Sequence, residues 1–147
     1  MKIEIMPQTM VPQLLEWRRE VIETVFGVKP SEELMLRNRD YYASHVPIKS
    51  HIAVVASVDG EEAGCGGVCF QNELPSPDNE TGLDAYLMNI YVRPKFRRMG
   101  VGEAIVKWLV EASRERGCGK IYLETTEKGE SLYKRIGFDE MPDMMKI

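Results

Sequence analysis

No stretch of this chain approaches the roughly 18 consecutive apolar residues that a membrane-spanning helix requires, although 44% of its 147 residues are hydrophobic. Histidine is nearly missing. The two present, His45 and His51, have no cysteine or carboxylate at ligand spacing, which argues against a metal centre. Cysteine is also scarce: Cys65, Cys69 and Cys118 make an odd number without a Cys-x-x-Cys pair. Cys65 and Cys69 fall four apart in a strand-like run, hence about 13 Å from each other, too far for a disulfide. All three are read as buried thiols. Basic residues are not in excess either, with 19 Lys and Arg against 23 Asp and Glu and a net charge of −4. A nucleic-acid binder needs a phosphate-neutralising basic face, so neither nucleic acid nor membrane is an expected partner. Met1 to Met6 alternates apolar and charged residues instead of opening a signal peptide, so a cytoplasmic location is expected. The length suits one domain over residues 1–147.

The patterning that is present alternates strand and helix. Lys2 to Met6 reads as a strand ended by Pro7. Val11, Leu14, Leu15, Val21, Ile22, Val25 and Phe26 recur at helical spacing, predicting a helix from about Met10 to Phe26 closed by Gly27. Ser31, followed by Glu32 and Glu33, caps a second helix to about Ser44. His51–Val58, the turn Asp59-Gly60 and a strand from Glu61 to Phe70 form a hairpin. Gly64, Gly66 and Gly67 would weaken that second strand unless something packs close against it or it bulges. Gln71 to Asp84 is the longest loop and a candidate substrate lip. Tyr86–Val92 is a nearly continuous apolar run, as in a central strand. A helix follows with a stripe of Val101, Ile105, Trp108, Leu109 and Ala112, stopped by Gly117; then come a strand Lys120–Thr125, a short helix from about Glu130 to Ile136, and a last strand within Phe138–Ile147. The expected fold is a mixed α/β sheet whose crossover helix joins two parallel strands.

The stretch Arg97-Arg98-Met99-Gly100-Val101-Gly102-Glu103 falls where an apolar strand hands over to this strongly periodic helix. A helix N-terminus leaves backbone N–H groups unpaired and carries partial positive charge, and glycine lets a bulky anion approach them. Arg93, Lys95, Arg97 and Arg98 cluster beside it, which suits a small anionic cofactor. The dinucleotide fingerprint is excluded, because Ile105 stands where its third glycine belongs, and the phosphate-binding loop of nucleotide hydrolases is excluded because no Gly-Lys-Ser/Thr follows.

Arg97-x-x-Gly100-x-Gly102, with the preceding Leu87 to Pro94, resembles the acetyl-CoA-binding motif of the GNAT superfamily of N-acetyltransferases, Arg/Gln-x-x-Gly-x-Gly/Ala. Leu132-Tyr133 followed by Gly137-Phe138 resembles that family's second signature, although Thr126 and Gly129 stand where an Asn and an Ala are often found. The resemblance implies a mixed, mostly antiparallel sheet with a parallel strand pair splayed around acetyl-CoA and helices on both faces. It implies that backbone groups of Arg98, Met99, Gly100, Val101, Gly102 and Glu103, with Arg97 beside them, hold the pyrophosphate without a metal. Ile90, Tyr91 and Val92 would pair with the pantetheine arm, and one N–H there would polarise the thioester. Tyr133 would protonate the departing thiolate, and a homodimer would be expected, with Met141, Met144 and Met145 at an interface or filling core gaps.

An amine attacks a thioester only as the free base. An alkyl ammonium titrates near 10.4, so at pH 7 only about one molecule in a few thousand is competent. A carboxylate, directly or through water, is the usual proton acceptor; Asp84, Glu73 and Glu124 are the candidates, with Tyr86 and Asn89 able to orient a water. The sequence thus points to an acetyl-CoA-dependent N-acetyltransferase acting on a small amine. Acetylation of a protein or peptide and a non-catalytic acyl-CoA sensor are the alternatives.

Overall fold

The computed structural model describes residues 1–147. In chain order the elements are β1 (Ile3–Pro7), α1 (Val11–Val21), α2 (Glu32–His45), β2 (His51–Val58), β3 (Glu61–Asn72), β4 (Leu83–Val92), α3 (Val101–Glu115), β5 (Lys120–Leu123) and α4 (Glu127–Ile136). One sheet runs in the order β1-β2-β3-β4-β5. Its neighbours are antiparallel except β4 and β5, which are parallel and joined by α3. The mixed, mostly antiparallel sheet is therefore as expected.

Each face carries helices because each face presents an apolar surface. On one side the α3 stripe of Val101, Ile105, Val106 and Leu109, all within 1% of full burial, covers Val54, Val68 and Leu87. At about 1.5–3 kcal/mol per buried aliphatic side chain this stripe is the main anchor of the crossover. On the other side Leu14, Trp17 and Val21 of α1 and Tyr42 of α2 meet Ala53, Cys65 and Tyr91. Ser31 caps α2 by accepting from the Leu34 N–H at 3.1 Å, a contact of about 1 kcal/mol.

The glycines of β3 are explained by close approach. A Cβ on Gly66 would stand 2.6 Å from Ile105 Cγ2 and 3.2 Å from Leu109 Cδ1, so α3 rides directly on bare backbone. The pairing of β3 with β4 also slips between Cys65 and Gly67. That slip places its extra residue on β4, whereas β3 itself bulges at Ala63, opposite Ala56 and Ser57.

Several expectations change. The chain from Phe138 onward forms turns and irregular backbone, not a sixth strand. Pro142 offers no N–H for a ladder. Met141, Met144 and Met145 are 42%, 57% and 99% exposed, so they fill no core gap. The long loop shortens because β3 extends to Asn72 and β4 begins at Leu83, which puts Asp84 inside a strand. The first helix ends as a π-type turn, Ile22–Phe26, before Gly27. Of the three free cysteines only Cys65 is fully buried; Cys69 and Cys118 are half-buried. No helix is long and apolar enough to cross a membrane.

Candidate active site

The site begins with a phase error in β4. Leu87 faces the α3 core, and so do Ile90 and Val92, three and five residues on; strict alternation would not allow the first step. The slip opposite Gly66 supplies the extra residue, Asn89, whose φ is 59°. Such a bulge bends its strand and interrupts the ladder. The Asn89 carbonyl accepts from Cys65 Sγ at 3.4 Å, and burial pushes the Cys65 thiol up to about 12, keeping it a donor.

The parallel pairing of β4 with β5 stops at the same point. Its last rung is Leu87 with Leu123. From Met88 to Val92 the edge of β4 away from β3 has no neighbouring strand. Ile90, Tyr91 and Val92 therefore border a split between β4 and β5, available to an extended ligand that pairs as a strand would.

The α3 N-terminus stands at the end of this split. Gly100 is its N-cap at φ 85°, with no capping side chain. Arg98, with φ 64°, is also left-handed, an uncommon conformation for a non-glycine. None of the backbone N–H groups from Arg98 to Glu103 donates to another protein group, while Ala104 already bonds to the Gly100 carbonyl. This is a row of free donors at the positive end of a 15-residue helix. Arg97 donates through Nε to the Val92 carbonyl at 3.2 Å, fixing the turn to the end of β4. The basic cluster is smaller than its sequence implied: Arg93 is taken by Glu20 and Lys95 by Glu61, leaving Arg97 and Arg98.

The carboxylates separate. Glu124 follows β5 immediately and lies at the split, close enough to Tyr86 that burial first and the Glu124 charge second raise the Tyr86 phenol. Asp84 is paired with Lys120 at the opposite end of the parallel ladder, five residues or about 16 Å of strand from Asn89. It is 3% exposed and accepts from Asn79 Nδ2 at 2.7 Å. Burial and the neighbouring Glu73 carboxylate raise Asp84, while the hydrogen bond from Asp84 and the Lys120 ammonium, 3.5 Å from Glu73, lower Glu73. Through Asn79 and Lys120 the two carboxylates are tied to the loop ahead of β4. They are not brought to the split.

Tyr133 lies on α4, with its ring edge-on to Phe138 at 5.9 Å and against Gly129. Its phenol is raised by burial and so keeps its proton at neutral pH. It faces a groove of about 670 Å³ walled by α3, β5 and α4, with Leu123 of the last paired rung in the same wall.

On the opposite face, under α1 and α2, Met88 and Asn89 open onto a second cavity of about 190 Å³. Arg18 reaches it from α1, Asn38 and Tyr41 from α2, and His51 and Cys69 from the sheet. The Tyr41 hydroxyl lies 2.9 Å from His51 Nδ1 and 3.1 Å from Cys69 Sγ. Burial, with His45 and Arg18 nearby, lowers His51 to about 4, so its ring is neutral. In the sequence Arg18, Asn38 and Tyr41 carried no assigned role, while His51 was set aside as a metal ligand and Cys69 read as a buried thiol. Arg18 was findable, because it is four residues after Leu14 and three before Val21, a charge on an otherwise apolar stripe. His51 gave no signal beyond heading a strand.

Known proteins agree with this architecture. The Acetyltransferase (GNAT) family matches residues 11–138. Thialysine N-epsilon-acetyltransferase of Sus scrofa is 33% identical over 119 residues, 79% of this chain and 69% of that protein. The Bos taurus protein of the same name is 28% identical over 95 residues, 63% of this chain; the match spans only 56% of its length. Among solved structures, a Clostridium acetobutylicum protein described as a predicted acetyltransferase, with acetyl-CoA, superposes with a TM-score of 0.85 at 20% identity, covering 99% of this chain and 96% of that one. With a family match across nearly the whole chain, this protein belongs to the GNAT family of acetyltransferases.

Proposed function

We propose that the protein transfers the acetyl group of acetyl-CoA to a primary amine of a small molecule by direct attack within a ternary complex. The observation that carries this reading is the row of unpartnered N–H groups from Arg98 to Glu103 beside the half-unpaired end of β4. A pyrophosphate satisfies the first, and an extended pantetheine with its thioester satisfies the second.

In this reading the outer edge of β4 at Ile90–Val92 holds the thioester, and one N–H there polarises its carbonyl. Glu124, through a water, takes the proton that the ammonium must lose. Tyr133, a protonated phenol that burial raises further, supplies a proton to the leaving thiolate. The relatives named above are called for acetylation of the ε nitrogen of thialysine, which favours a small amine over a protein acceptor. A homodimer in the cytoplasm completes the proposal, and sedimentation checks the dimer.

Calorimetry with acetyl-CoA, paired with thiol release across an amine panel, tests it. Binding accompanied by thiol release on a small amine is expected. Binding with no release on any amine would move the protein to the acyl-CoA sensors, and no binding at all would remove the reading.

A further inference from the structure

The cavity under α1 and α2 contains one full charge and nothing to neutralise it. Arg18 forms no ion pair with any carboxylate in the chain, and no Asp or Glu lines the cavity. Its guanidinium is positioned instead by two neutral amide oxygens: Nη1 donates to Asn89 Oδ1 at 2.8 Å and Nε to Asn38 Oδ1 at 3.1 Å. A guanidinium has five N–H groups and these two contacts use two, so both N–H groups of Nη2 and one of Nη1 are left free on the outer edge of the fork. The one titratable base that could add charge, His51, is held neutral.

A half-buried cation costs desolvation that a carboxylate partner usually offsets. Here α1 places it on its apolar stripe, two amides hold its orientation, and the partner is missing. The free edge has the planar, two-pronged shape that suits an oxyanion. The position fits as well, because Asn89 is both the residue that holds Arg18 and the bulge that opens β4. A cavity of about 190 Å³ is below the roughly 300–1,000 Å³ of whole-ligand pockets, so it takes a head group, with the remainder of the acceptor extending toward the split.

Resting on the acetyltransferase reading, we infer that the acceptor is an amine that also carries an anionic group, a carboxylate or a phosphate, and that Arg18 binds that group. Polyamines and other purely cationic amines are then disfavoured despite the acidic balance of the chain.

Thiol release from acetyl-CoA on matched acceptors tests this. Lysine is compared with lysinamide and cadaverine for the carboxylate, and glucosamine 6-phosphate with glucosamine for the phosphate. At least one anionic member is expected to exceed its neutral or cationic match in kcat/KM by roughly 10- to 100-fold. Arg18→Gln erases that ratio through KM and leaves the KM for acetyl-CoA unchanged, and Arg18→Lys restores part of it. Equal or better use of the uncharged matches, or an unchanged ratio in Arg18→Gln, overturns the inference. A binding arm needs no turnover: calorimetry of the N-acetylated products of both anionic acceptors and of their uncharged matches. If no amine releases thiol, yet an anionic product binds wild type at least tenfold more tightly than its match and loses this in Arg18→Gln, the transfer reading fails while the Arg18 site stands. If no product binds wild type, or the uncharged matches bind equally, the site is overturned whatever the kinetics.

Discussion

Arg93 and Glu20 meet side by side, Nε to Oε2 at 3.0 Å and Nη2 to Oε1 at 2.9 Å, while the Arg93 guanidinium lies 4.3 Å above the Trp17 ring. One arginine thereby locks α1 to the end of β4, just ahead of the Arg98–Glu103 turn. The pair is partly exposed, at 38% and 31%, so its electrostatic worth is limited to about 1 kcal/mol. Arg93→Met should lower the unfolding free energy by about that much and reduce its salt dependence. Urea titrations at low and high salt would show it.

The two glycines of the turn should respond oppositely. Gly100 holds φ 85°, a region that costs a residue with a Cβ roughly 1–2 kcal/mol. Gly102 is helical, and a Cβ there would find its nearest neighbours at 3.7 and 3.8 Å, ordinary contact distance. Gly100→Ala is expected to lose stability and acetyl-CoA affinity, whereas Gly102→Ala should hold or gain up to about 1 kcal/mol in thermal unfolding. Equal losses from both would mean that the turn is not held by the Gly100 conformation.

Tyr133→Phe removes only an oxygen from a ring that packs on Phe138. It should leave acetyl-CoA binding intact and cut turnover by roughly 10² or more. Unchanged turnover on the true acceptor would take Tyr133 out of the mechanism.

His51 gives the fold an acid sensitivity. Its folded value of about 4 lies below the 6.5 of an exposed histidine, so the unfolded chain binds the proton more readily. The contribution to stability is complete above about pH 6.5 and is lost as pH falls toward 4, amounting to about 3 kcal/mol in all. Unfolding midpoints at pH 7.5 and 5 should differ more in wild type than in His51→Gln. Identical slopes would assign the acid loss elsewhere.

The sequence carried the fold further than the site. The α3 stripe was legible because period 3.6 and a buried helix face are the same statement; Ile105 and Leu109 are fully buried, as their spacing required. The Ser31 cap was equally local. The bulge was not legible, since Asn89 marks no turn in its own neighbourhood; it arises from Gly66 lying under Ile105 and from the shift in pairing that follows. Asp84 and Glu73 were candidate bases because both adjoin the loop between β3 and β4, but Asp84 pairs with Lys120 at the end of β4 away from the split and Glu73 lies beside that lysine. The final segment failed for a related reason. A strand was expected within Phe138–Ile147, yet the free edge of β5 stays unpaired and Pro142 interrupts the segment that would have used it.

The ending of the β4–β5 ladder at Leu87 and Leu123 also divides one strand into two regimes of solvent exchange. Amides of β4 up to Leu87 are clasped from both sides, so their deuterium uptake waits on opening of the sheet itself. From Met88 onward, those turned away from β3 have no bond to break and should exchange within the time of ordinary surface amides. A largely apolar strand thus has a fast-exchanging tip, and any ligand that pairs with it should announce itself by slowing those few amides while the rest of β4 stays as it was.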